Sequence, residues 1–295
     1  MFIAPLPLPM SSATVVRRKR KNPFADNEPK IARQTNLDDA IHRQENRGTS
    51  PLLTVNRIRI FAMRRPKPEC VQAENWLVHN VTSTSKEKWC LELSPFSLGP
   101  IELYPNESDG TMFIAQNMEN AWQFCKVYRQ FTDGDNGSPS DAYWQWAKNG
   151  WRDSKPHRFP LGRQAAKPLY SLWKGKKLNY IEARKAIYAP LYAKYVEQTD
   201  AYRKLTENYL KHCLGSVNDK RTRPMALLDF DGWDHLGQGY SLEQVIDLEK
   251  PKMGHAFILA GLLENNLFWL AEPEKSNTEL LRASGQLLKD VSCNG

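Results

Sequence analysis

The sequence predicts an α+β protein, mainly helical, with a few strands at the head of the folded region and a disordered basic arm ahead of them. Three observations carry this expectation. Residues 1–50 show no hydrophobic period after the first ten and hold few large apolar side chains, a composition that buries too little surface to order itself. Just beyond, "VNRIRIFAM" alternates, with Ile58 and Ile60 on one side and Arg57 and Arg59 on the other, the period of a half-buried strand. From residue 117 the chain turns to capped, helix-length stretches separated by Pro, Gly, Asp and Asn. A disordered basic arm over 1–50, one α+β domain over 51–272 and a peripheral tail over 273–295 follow.

Two more short strands are expected in "NWLVHNV" and "KWCLEL". The segment "SPFSLGPIELYP" (94–105) carries three prolines and a glycine around "IEL", which predicts an irregular stretch with one short strand. Asn117 is placed to cap the next helix, with Glu119 in its first turn, where an acid favours the dipole. "FTDGDNGSPS" is turn chemistry, "DAYWQWAKNGW" a short aromatic helix and "DSKPHRFPLGRQAAKP" a long basic loop. The stretch from Asn179 to Gly215 reads as one broken helix or two adjoining ones, kinked at Pro190, which has no N–H to donate. "GSVNDKRTRP" is a loop, "MALLDF" a buried strand and "DGWDHLGQG" a turn, after which Ser241 caps a short helix. "KMGHAFILAGLLENNLFWLAEP" predicts a long helix too apolar for a surface position.

Composition narrows the partners. A chain of 295 residues, 41% hydrophobic, can bury a substantial core. Its formal charge of +8 favours anionic partners such as nucleic acid, nucleotides or phosphorylated metabolites. Part of that excess is the run Arg17, Arg18, Lys19, Arg20 and Lys21, suited to touching nucleic acid or to an import signal. The five cysteines are scattered and form no CxxC pair, so neither a disulfide framework nor a thiolate zinc site is expected, and no cofactor. With no apolar run of about 18 residues and no signal-peptide core, a soluble, intracellular, cytoplasmic protein is expected.

Four groups of residues could carry chemistry. Read as a helix, "MENAWQFCKVY" (118–128) places Glu119, Trp122, Gln123 and Lys126 at i, i+3, i+4 and i+7 on one face. Apolar Ala121, Phe124, Cys125 and Tyr128 leave no polar opposite face, so the polar stripe must be paired or line a cavity. Lys194 falls on the face of Ile187 and Leu191; it either snorkels, or is held dry and becomes a base or imine-forming nucleophile. Asp229, Asp231, Asp234 and His235 crowd one turn with Trp233. A metal site is one reading, although their spacing fits no calcium loop; ribose or phosphate-ligand binding and turn capping are the others. Arg152, Lys155, His157, Arg158, Arg163 and Lys167 interleave with Trp151, Phe159 and Tyr170, guanidinium forks for phosphates beside rings that stack on bases.

Taken together, these stretches resemble the NADAR family, also called YbiA-like. "LSPFSLGPIEL" (93–103) is similar to the family's opening "LSNF…P…EL" element, with Pro95 in place of Asn. "MENAWQFCKVY" matches its "SEHYFQAQKF" helix through Glu119, Gln123 and Lys126, with Trp122 between, and "AKY" at 193–195 matches a later "AKF". "DGWDHLGQG" supplies Asp231 and Trp233 of a "D..WG.G" turn, and "KMGHAFILAGLLE" loosely echoes a final "N.LG..LM" helix, with His255 where Asn is usual.

The resemblance implies a YbiA-like single domain that hydrolyses the N-glycosidic bond of a ribosylated, phosphate-bearing compound. ADP-ribosyl-guanine in nucleic acid and a ribosylamino-pyrimidine phosphate are the implied substrates. It implies three catalytic residues: Glu119 as the carboxylate that stabilises oxocarbenium-like charge or activates water, Lys194 as acid or nucleophile, and Asp231 binding ribose hydroxyls or polarising Lys194. Ser94, Phe96, Trp122, Gln123 and Trp233 would contact base or sugar, and Lys126 and Arg163 phosphate. The competing expectations are a non-catalytic nucleic-acid or ADP-ribose binder and a viral DNA base-modification enzyme.

Overall fold

"MALLD" has no polar position until its last residue, so as a strand it needs cover on both faces. A computed structural model of the chain describes residues 58–64, 71, 75–134, 137–214 and 222–271. The expectations for 1–50, including the Arg17–Lys21 run, and for 273–295 lie outside the described residues. The described strands are β1 (Ile58–Ala62), β2 (Leu77–Asn80), β3 (Ile101–Pro105), β4 (Met112–Ala115), β5 (Lys126–Val127), β6 (Thr132–Asp133), β7 (Ser138–Pro139), β8 (Tyr170–Trp173), β9 (Lys176–Leu178) and β10 (Met225–Asp229). The described α-helices are α1 (Met118–Gln123), α2 (Asp141–Arg152), α3 (Tyr180–Ala183), α4 (Ala189–Val196), α5 (Asp200–His212), α6 (Leu242–Val245) and α7 (His255–Leu263).

The fold is α+β. The sheet that organises it has order β1-β10-β2, all parallel, with Ile58 opposite Met225 and Ala62 opposite Asp229. All five residues of β10 are buried, as its unbroken apolar run requires. α7 covers this sheet and packs against α4; its residues His255–Leu262 are all buried, which is why its sequence shows no polar face. The remaining strands form antiparallel pairings, β3 with β4, β6 with β7, and β5-β8-β9. Among the described residues no helix is long and apolar enough to cross a membrane.

Several expectations are corrected. "KWCLEL" is not a strand but a 3₁₀ turn over Lys88–Leu93, with Cys90 and Leu93 buried. Two buried residues three apart share a face of a 3₁₀ helix and would face opposite ways in a strand. The helix at 118 is capped as expected, Asn117 accepting from the Asn120 N–H at 2.8 Å, but it ends at Gln123 and Lys126 stands on β5. Hydrogen bonding ends it: Cys125 and Val127 offer their carbonyls to the Leu172 and Leu169 N–H groups, pulling the chain into a sheet with β8. Pro190 stands inside a helical run that is continuous from α3 to α4, directly after a π-helical turn over Arg184–Tyr188, the local adjustment that accommodates its missing N–H. The break falls later, where Thr199 caps α5. α7 is nine residues rather than a long helix, entered at Gly254 and left at Asn265, whose φ of +53° is the left-handed conformation that closes helices.

Candidate active-site cleft

Ligand clefts in folds with parallel strands form at the carboxyl ends of those strands. Here the carboxyl end of β10, the amino end of α7, helix α1 and the basic loop after α2 enclose a cleft of about 300 Å³. Its centre is built by α1. The Glu119 N–H donates to the Pro95 carbonyl at 2.9 Å, fixing the first turn of the helix against the segment that carries Ser94 and Phe96. Glu119 Oε1 accepts from Gln123 Nε2 at 2.8 Å, and Gln123 Oε1 accepts from Lys126 Nζ at 2.7 Å. Acid, amide and amine thus form one relay, although a helix carries only the first two.

Electrostatics sharpen the relay. Burial pushes the Glu119 carboxyl up; Gln123, Lys126 and Arg158 oppose that, and the Asp231 charge adds to it. Burial lowers the Lys126 amine to about 8, with Cys125 and Glu119 resisting and Lys252 assisting. Lys126 Nζ lies 4.7 Å from the Trp122 ring centroid, and that ring meets Tyr188 at 5.2 Å and Tyr180 at 6.3 Å. One wall is therefore an aromatic cage with a cation against it.

Asp231, at the turn leaving β10, is paired by Arg158 with both oxygens at 3.0–3.1 Å. Along the rim, cations and rings alternate: Arg64 and Arg158 flank Phe230 at 5.0 and 5.5 Å, and Arg158 and Arg163 flank Phe159 at 5.6 and 5.7 Å. Beneath lies a buried pair. Asp229 Oδ2 accepts from the Ala256 N–H at 3.0 Å and stands 3.1 Å from His255 Nδ1, while His255 Nε2 donates to the Val81 carbonyl at 2.8 Å. With an acceptor at each ring nitrogen the imidazole holds both protons. Burial alone would raise Asp229, but His255 and two backbone N–H groups overcome it and hold the carboxyl down. Burial would lower His255, but Asp229 and the Val81 carbonyl hold it up. Glycine at 254 permits this approach, since a Cβ there would lie 2.1 Å from Asp229 Oδ2.

Of the ten residues given catalytic or substrate-binding roles from sequence, Ser94, Phe96, Glu119, Trp122, Gln123, Lys126, Arg163 and Asp231 line the cleft. Two do not. Lys194 is exposed and lies over the Tyr195 ring at 5.0 Å; in the same stretch it is Arg184 and Tyr188, on the π-helical turn, that reach the cleft. Trp233 packs on Phe257, Tyr240 and His235 and donates to the Lys252 carbonyl, a role in the core beside the cleft rather than in it. The acidic turn also divides, because Asp234 pairs with Arg59 and caps Gly237. Asp229, Asp231 and Asp234 thus take separate partners.

Sequence reasoning passed over the Asp229–His255 pair, Arg158 as the partner of Asp231, Tyr188 and Lys252. The available signal was positional: Asp229 ends a wholly apolar strand and His255 opens a wholly apolar helix. Comparison with protein-family models, curated proteins and solved structures gives no match to this chain.

Proposed function

We propose that the cleft is the active site of an N-glycosidase of the NADAR type, acting on a ribosylated, phosphate-bearing compound. The observation that supports this most is the Glu119–Gln123–Lys126 relay facing a cavity walled by aromatic rings and cations. Departure of the base leaves positive charge on the anomeric carbon. Glu119, with Oε1 held by Gln123, offers its other oxygen to that carbon or to the attacking water. Lys126 takes the acid role first expected of Lys194: an ammonium near pKa 8 is well matched to protonating a departing base near neutrality. The wall of Trp122, Tyr180 and Tyr188 packs against base or sugar, Asp231 meets ribose hydroxyls, and Arg158, Arg163 and Lys252 receive phosphate. Glu119 must be ionised and Lys126 protonated. The rate therefore falls as pH drops through the raised Glu119 value and falls again as pH rises past about 8.

The experiment is a mass-spectrometric screen for released base. Purified protein is incubated with ADP-ribosylated DNA, ADP-ribosylated guanosine and ribosylamino-pyrimidine phosphates across pH 5–10. Release with a bell-shaped profile supports the proposal. Tight binding without release from any substrate makes the cleft a reader instead.

A further inference from the structure

A second constellation stands apart from the cleft. His79 on β2 is buried at 4% exposure, Cys90 in the 3₁₀ turn is fully buried, and the Glu87 side chain between them is 44% exposed. His79 Nδ1 lies 3.2 Å from Glu87 Oε2, Cys90 Sγ lies 3.7 Å from the same oxygen, and all three ligand atoms fall within 4.8 Å of one another. None of the three lines the cleft. Hydrogen bonds to one oxygen, Glu87 Oε2, bring together three ligand atoms of different softness from two elements.

We propose that His79, Glu87 and Cys90 hold a divalent transition metal of the zinc class. Tetrahedral zinc, with bonds of about 2.0–2.1 Å to nitrogen and oxygen and about 2.3 Å to sulfur, sets ligand edges near 3.3 Å for N···O and 3.6 Å for S···O. The two edges measured here, 3.2 and 3.7 Å, already have those lengths. The third, between the buried His79 Nδ1 and Cys90 Sγ, lies within 4.8 Å and closes by a movement of about one ångström of those two side chains. A thiolate–imidazole–carboxylate set excludes calcium and magnesium, which take oxygen shells. The fourth position opens to solvent on the Glu87 side and takes water.

The proton balance is simple. Without a cation, burial and the Glu87 charge keep Cys90 a thiol, its pKa pushed up to about 12. Binding forms the sulfur–metal bond, breaks the S–H bond and releases that proton to solvent. Burial lowers the His79 pKa; Nδ1, which donates to the Glu87 carboxylate without a cation, passes its proton to Nε2 as it takes the metal, so the ring stays neutral and the thiol proton is the one released. The expectation that the cysteines form no zinc site looked for paired thiols; this set is His-x7-Glu-x2-Cys and offers only one. The consequence reaches the cleft. The clipped turn ends at Leu93, whose carbonyl accepts from Tyr192 Oη at 2.6 Å, and two residues on the Pro95 carbonyl anchors Glu119. The ion would fix the segment that presents Ser94 and Phe96.

Full-length protein stripped with a chelator and reloaded should retain one equivalent of Zn²⁺ through gel filtration. With Co²⁺ as probe it should show a thiolate-to-cobalt charge-transfer band and intense tetrahedral ligand-field bands. Cys90→Ser should lose the charge-transfer band. Glu87→Gln, at an exposed position that leaves circular dichroism unchanged, should weaken Zn²⁺ binding about tenfold or more. A charge-transfer band that persists in Cys90→Ser overturns the proposal. So does a wild-type protein that binds Zn²⁺ no better than Glu87→Gln, and that comparison decides the matter should Cys90→Ser not fold.

Discussion

Lys126 is the residue where stability and the proposed chemistry oppose each other. Its pKa of about 8 in the fold, against 10.5 for the free side chain, means the unfolded chain binds more protons between those values. Stability therefore rises with pH across that window, and below pH 8 the fold carries the whole cost of a partly buried ammonium. Lys126→Met should be more stable than the parent at pH 7, by on the order of 1 kcal/mol after solvent screening, and should lose that advantage near pH 10.5. Urea titrations at pH 7 and 10 measure it. Asp229 and His255 run the other way. The depressed Asp229 stabilises above the ordinary carboxylate pKa and fails as pH falls through its folded value. The raised His255 stabilises fully below about 6.5 and fails as pH rises through its folded value. The pair is thus strongest between about pH 4 and 6.5. Asp229→Asn should cost about 3–5 kcal/mol at pH 6 and distinctly less at pH 9, where His255 is free to shed its proton. An equal loss at both pH values would mean that the charge on His255 plays no part.

At the scale of elements, the contact between α1 and α2 depends on one glycine. A Cβ at Gly150 would lie 2.0 Å from the Phe124 ring, although the position is helical and alanine would gain about 1 kcal/mol of propensity there. Overpacking of this depth costs about 1–3 kcal/mol or more, so Gly150→Ala should be net destabilising in thermal melts; a stabilised variant would mean the helices part freely. Elements were legible where local chemistry decided them. The caps expected at Asn117, Asn179 and Ser241 are there, since a short polar side chain satisfies orphan N–H groups without tertiary help; Ser140 and Thr199, not singled out from sequence, cap two more helices. They were illegible where a distant partner decided. Nothing local in "QFCKV" announces that Cys125 will pair with Leu172. The β8–β9 hairpin did carry a signal, Lys174 and Gly175 at positive φ in a two-residue turn, disguised by its basic residues.

At the scale of the whole molecule, the excess of cations has a place, because Lys126, Arg158, Arg163, Lys167, Arg184 and Lys252 all line one cleft. Most of the candidate site could be read from the chain because residues close in sequence supply it: Ser94 with Phe96, and Glu119 through Lys126. Lys194 was misplaced because an amphipathic pattern fixes which residues share a face, not which face the fold buries. The π-helical turn before α4 carries Arg184 and Tyr188 to the cleft while Lys194 stays in solvent. The central claim is that Glu119 does chemistry, and one comparison tests it most directly. Release of base by wild type and Glu119→Gln is measured by mass spectrometry on the same ribosylated substrates. The account predicts turnover by the wild type and none above background from a folded Glu119→Gln. Equal turnover by the two proteins would contradict it.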